Sequence, residues 1–231
     1  MKRFYKIVEP REVEGGWQIA LDGRIVRTPA RAPLLLPTLV LAQGIAAEWD
    51  AQGDDLDPLT MPATGFANAA IDQIAPDPAD FAANIARYAE TDLLCYRAEN
   101  PAPLVERQAL QWNPWLEWAR RRYDVAFRTT AGVIHVAQPP ETLARLSTAV
   151  AAYDPFTLAP LSTLVTITGS LILGLAIVDA EADPDAIWNA AELDALWQAE
   201  MWGEDSQAQV LAAAHRREFD AAVAFCRMVR A

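Results

Sequence analysis

The sequence predicts an α+β fold. A small α/β N-terminal domain with antiparallel strands is expected over residues 1–75, and an all-α C-terminal domain over residues 76–231. Three observations carry this. Strand-like alternation and an Asp-Gly hairpin signal fall within the first 28 residues. Apolar residues recur at helical spacing from Leu41 onward. Between the two regimes, Pro76-Asp77-Pro78 breaks the chain. Strands followed by helices, not alternating with them, argue against a parallel α/β sheet.

The elements follow in order. Phe4-Tyr5-Lys6-Ile7-Val8 is rich in strand formers, and Trp17-Gln18-Ile19-Ala20-Leu21 alternates. Asp22-Gly23 is a type I′ hairpin signal leading into Arg24-Ile25-Val26-Arg27-Thr28. Pro29, Pro33 and Pro37 punctuate a loop, after which Thr38 can cap a helix that Gly53 ends. Leu41, Ile45 and Trp49 form the expected buried stripe of that helix. Asp77 before Pro78 starts another helix, with Phe81, Ile85 and Tyr88 on one face. After Asn100-Pro101-Ala102-Pro103, a helical stretch carries Trp112, Trp115 and Trp118, and Pro114 is expected to kink or restart it at Asn113. Val125–Thr129 and Val133–Val136 read as a small hairpin within residues 124–136. Pro139-Pro140 opens a helix to about Tyr153, Asp183-Pro184-Asp185 opens one through Glu200, and a last amphipathic helix fills the C-terminal stretch.

Composition narrows the function. Apolar residues are 52% and charged residues 22% of 231, as in ordinary globular proteins, and the net charge is −12. Such a chain lacks the clustered Lys and Arg that phosphate neutralisation needs, so nucleic acid is not an expected partner. It also repels anionic lipid surfaces. Cys95 and Cys226 cannot build a disulfide framework and read as buried thiols of a reducing compartment. Leu161–Val178 is 18 residues without a charge, but its Ser, Thr and Gly content and acidic flanks point to a buried helix, not a membrane span. The N-terminal residues show neither a signal core nor a presequence, so neither export nor organelle import is expected and the cytoplasm is the expected compartment.

Motifs for chemistry are mostly missing. His135 and His215 are far apart, with no cysteine at ligand spacing, so no metal site is expected. Gly169 and Gly174 have the glycine spacing of a P-loop, but Leu175-Ala176 stands where Lys and Ser/Thr are required, so no nucleotide or other cofactor is expected. No Gly-x-Ser-x-Gly elbow is present. Glu48 and Asp50 flank Trp49, and two readings of them stand: a solvated acidic turn, or the carboxylates of a small hydrolase. The stretch between Arg145 and Arg216 holds no Lys or Arg but ten acidic residues, interleaved with Trp188, Trp197 and Trp202. Aromatic anchors among carboxylates fit protein recognition, whereas tryptophans filling a core beneath solvated acids is the plainer alternative.

These segments, in order, resemble the assembly chaperones for the α subunit of the F-type ATP synthase head. The resemblance rests on Arg3-Phe4-Tyr5-Lys6, Leu21-Asp22-Gly23-Arg24, Thr28-Pro29, Ala47-Glu48-Trp49-Asp50-Ala51-Gln52 and Met61-Pro62. It continues through Tyr88–Arg97, Gln108, Trp112-Asn113-Pro114, Trp118, Tyr123 and Gln198–Asp205. It covers almost the whole chain, and Asn113 departs from the Asp usual before that Pro. The resemblance implies a chaperone and not an enzyme, monomeric when free, which holds the unassembled α subunit until the β subunit replaces it. It implies a partner contact at Glu204 or Asp205, just after Trp202-Gly203 and with Glu200 close by, and structural roles for Glu48, Trp49, Asp92, Trp112 and Pro114.

Overall fold

A computed structural model describes residues 2–203 and 205–231. Three strands form an antiparallel sheet in the order β1 (Val8–Val13), β2 (Gly16–Leu21), β3 (Arg24–Ile25). Leu21 pairs with Arg24 across a two-residue turn in which Asp22 (φ 48°) and Gly23 (φ 82°) both have positive φ, the type I′ geometry that Asp-Gly favours. The first strand begins at Val8 and not at Phe4. The Asp22 carboxylate explains the delay: Oδ1 accepts from the backbone N–H of Lys6 at 3.1 Å and of Ile7 at 2.9 Å, so these donors are satisfied outside the ladder.

The helix α1 (Leu39–Asp50) follows, its Thr38 Oγ1 accepting from Leu41 N–H. Leu41, Ala42, Ile45 and Ala46 pack with Ile19, Leu21, Leu34 and Leu36 into the core beside the sheet. Trp49, expected on the buried stripe, is half-buried at the margin of that core, with its ring centroid 5.7 Å from that of Tyr5. Next come α2 (Pro62–Ala69), α3 (Pro78–Ala86), the two-residue β4 (Tyr96–Arg97), α4 (Ala102–Tyr123), β5 (Thr130–Ala131) and α5 (Pro140–Ala151). The remainder is α6 (Pro155–Thr168), α7 (Leu171–Val178), α8 (Pro184–Ala191), α9 (Leu193–Trp202) and α10 (Ser206–Arg230). This is the α+β architecture expected from the order of the elements.

Contacts divide the chain into two compact units. One holds the chain up to Pro78, together with Asp154–Pro160 and Asp220–Ala231. The other holds Ala79–Tyr153 and Leu161–Phe219. Two stretches beyond residue 76 therefore pack with the N-terminal strands. Phe225, fully buried, packs with its ring tilted against that of Phe66 at 5.2 Å, and Thr38 Oγ1 donates to the Met228 carbonyl at 2.6 Å.

Two local expectations are corrected. The segment 124–136 is not a hairpin: β5 pairs parallel with β4, Tyr96 opposite Thr130 and Arg97 opposite Ala131. Side chains take the place of the ladder. Gln138 accepts from Arg128 N–H at 2.9 Å and donates back to the Arg128 carbonyl at 3.0 Å, and Thr142 Oγ1 does the same for Ala126. His135 meets the Tyr96 hydroxyl at 3.1 Å instead of sitting in a strand. Pro114, in turn, does not restart a helix; α4 runs through it for 22 residues. Proline frees the carbonyl four residues earlier, here on Leu110, and both residues are exposed, so water can satisfy it.

The uncharged stretch 161–178 is the end of α6 and all of α7, separated at Gly169 (φ 65°). Every residue of α7 is buried. A Cβ on Gly174 would meet Val165 Cγ2 at 2.7 Å, so the glycine is what lets the two helices approach. Among the described residues no helix is long and apolar enough to cross a membrane.

Candidate interaction surface

The acidic, aromatic stretch singled out in the sequence runs from the end of α5 into the first turns of α10, with Trp188 on α8 and Trp197 and Trp202 on α9. Gly203 ends α9 at φ 90°, and nothing lies within 4 Å of where its Cβ would be, so the backbone angle and not space calls for glycine. Asp205 Oδ1 then accepts from the N–H groups of Gln207 at 2.7 Å and Ala208 at 3.0 Å, which caps α10. Those two hydrogen bonds hold its carboxyl below the usual carboxylate range. Glu204 lies outside the described residues.

The three tryptophans divide by environment. Trp188 packs edge-on against buried Phe219 at 5.4 Å, under the Arg216 guanidinium, and Trp197 lies under the Arg107 guanidinium at 4.8 Å. Trp202 is 78% exposed. Met201, Leu196, Val210 and Leu211 are exposed on the same two helices. Between the helices lies a trough of about 400 Å³, walled by Leu196, Ala199, Ala208 and Leu211, with Glu192, Asp205 and His215 among its polar lining. Residue-type reasoning stopped at the tryptophans and carboxylates and missed these small apolar wall positions. Their signal was available: the i, i+3 pair Leu196 and Ala199 and the pair Ala208 and Leu211 lie on helices that have other residues in the core.

Glu200, expected as a partner contact, is committed to Arg107 in a two-pronged pair with both distances 2.8 Å. Gln108 similarly donates to Asp194 at 2.8 Å. These bonds tie α9, the helix that carries Trp202, to α4. Of the sequence candidates, the structure brings Glu200, Trp202, Gly203 and Asp205 to one corner.

The structural candidates have identifiable partners. Trp112 is fully buried and donates from Nε1 to the Ala190 carbonyl at 2.7 Å. Asp92 is fully buried, its oxygens accepting from the N–H groups of Leu94 and Ile172, each at 3.1 Å, and so holding the start of α7. Burial outweighs those bonds and raises its pKa to about 6. Glu48 accepts from Ala63 N–H at 2.6 Å and from Thr64 N–H and Oγ1 at 2.8 Å, at the start of α2. Asp50 instead turns to Arg3 at 3.3 Å. The two carboxylates considered for a hydrolase are thus held by different partners. Among the described residues no cluster of three or more His, Cys, Asp or Glu is placed to hold a metal ion.

Comparison with known proteins adds the following. The profile of the family described as ATP12 chaperone protein matches residues 2–120. The crystal structure of Atp12 from Paracoccus denitrificans superposes with a TM-score of 0.95 at 42% identity, covering 99% of this chain and 98% of that one. A lysine-for-aspartate variant of the same organism's Atp12p gives 0.95 and 41%, covering 99% and 97%. A protein from Agrobacterium tumefaciens described as a candidate chaperone gives 0.94 and 41%, covering 99% and 86%.

Proposed function

The chain belongs to the ATP12 chaperone family, and we propose that it assists assembly of the F-type ATP synthase catalytic head by binding the unassembled α subunit until the β subunit replaces it. The observation that carries the reading is the corner at the end of α9, where exposed Trp202 and Met201 stand beside the capped acidic turn at Asp205. An aromatic anchor beside a carboxylate is the chemistry of a protein-binding hot spot. Trp202, Gly203, Glu204 and Asp205 form the contact in this reading, and Glu200 keeps it in place. An unpaired α subunit exposes apolar interface that would otherwise aggregate. A binder that shields it needs no nucleotide, cofactor or catalytic residue, only an affinity that the β subunit can exceed. The protein works in this reading as a monomer in the bacterial cytoplasm, and not as an enzyme.

Light scattering tests it. Isolated α subunit, diluted from denaturant with an equimolar amount of this protein and no ATP, is expected to stay clear. Aggregation at the rate of α subunit alone would refute the reading.

A further inference from the structure

The trough between α9 and α10 has features that the corner at Trp202 does not. Its two walls are α9 and the first turns of α10, lined by Leu196, Ala199, Ala208 and Leu211. Neither wall offers a free strand edge, so an extended peptide would gain no backbone pairing there. A third helix, laying small apolar residues at i, i+3 and i+7 between the walls, matches the spacing of the groove. The ten residues of α9 span about 15 Å, room for an occupant of two to three turns.

Charge selects among helices. Glu192 precedes the first residue of α9 and Asp205 lies beyond its last, and both line the trough, as does His215. Arg216, which follows the lining residue His215 in the chain, faces Asp185 at 2.5 Å. A second copy of this chain would bring the same carboxylates against themselves and is disfavoured. Resting on the chaperone reading above, we propose that the trough seats an amphipathic helix of the client protein, with apolar residues on its buried side and a Lys or Arg toward each end.

The experiment uses the full-length protein and two synthetic helical peptides of about 18 residues, with the same Leu/Ala face and either Lys or Glu on the flanks. Titration monitored by peptide fluorescence anisotropy is expected to show binding of the lysine peptide, weakening as salt screens the carboxylates, and little binding of the glutamate peptide. Ala199→Phe fills the trough and Leu196→Lys puts a cation in its wall; both positions are at least partly exposed, and melting curves verify the fold. Ala199→Phe should weaken the lysine peptide by about tenfold or more, and Leu196→Lys should shift preference toward the glutamate peptide. Equal binding of the two peptides, unchanged binding in folded Ala199→Phe, or self-association lost in that variant would overturn the proposal. If the parent protein protects α subunit but folded Ala199→Phe does so equally well, the trough is not the seat and the chaperone reading stands. If the lysine peptide binds as described but α subunit is ignored, the occupant chemistry holds and the α-subunit reading falls.

Discussion

Two tryptophans show how far a residue type can be read without its surroundings. Trp49 and Trp112 look alike in the sequence, each on a helical stripe. Trp112 is fully buried and its indole N–H is bonded to Ala190. Trp49 is half-buried, lines a cavity of about 340 Å³, and its buried Nε1 has no hydrogen-bond partner. Replacement by Phe separates them. Trp112→Phe leaves the Ala190 carbonyl unpaired and should cost about 1–3 kcal/mol beyond the lost volume. Trp49→Phe forfeits no hydrogen bond and should cost less than about 1.5 kcal/mol. Urea denaturation of both variants checks this, and equal losses would contradict it. Asp92 gives a second prediction at this scale. Its folded pKa, about 6, lies above the ordinary 3.8, so the folded state binds the proton more tightly. Its contribution to stability is therefore full below pH 3.8 and is lost as pH rises through about 6. Asp92→Asn removes the titration. The melting temperature of the variant relative to the parent should rise from about pH 4 to about pH 6.5 and then level off; a flat difference would show that Asp92 does not titrate there.

Elements were legible where local chemistry decides them. Thr38 capping α1 and the Asp22-Gly23 turn need only their own neighbours, and both formed as expected. The segment 124–136 was misread because strand propensity there is outweighed by distant side chains. Gln138 and Thr142 satisfy the backbone of Arg128 and Ala126, and β5 finds its partner in β4, more than thirty positions earlier. No spacing rule within the segment reports such a partner. The physical claim is testable: Gln138 is buried, and Gln138→Ala strips both backbone groups of Arg128 of their bonds. The expected cost is about 1–3 kcal/mol, with hydrogen exchange accelerated at the Arg128 amide. An unchanged exchange rate would mean that the loop is held by other contacts.

At the scale of the whole molecule, the linear division at residues 75–76 fails to foresee that Asp154–Pro160 and Asp220–Ala231 pack with the strands. A burial pattern says that Phe225 is inside, not which apolar surface it meets. The corner at Trp202 and Asp205 needs no such distant partner, because its residues are contiguous. Its roles can now be separated by magnitude. Trp202 is too exposed to hold the fold, so Trp202→Ala should change stability by less than about 0.5 kcal/mol, yet lower α-subunit affinity by about 2 kcal/mol or more as a lost anchor. Asp205→Lys removes a helix cap and should cost about 1 kcal/mol of stability, besides reversing a charge at the contact. Glu204→Lys reverses the neighbouring charge without removing the cap that Asp205 supplies, so in the chaperone reading it should spare stability and weaken binding. Melting curves and binding titrations on the three variants give each a distinct pair of readings. Should Trp202→Ala and Glu204→Lys bind α subunit as the parent does while Asp205→Lys loses only stability, the corner is a helix boundary and nothing more. The exposed aromatic would then be left with no client to explain it.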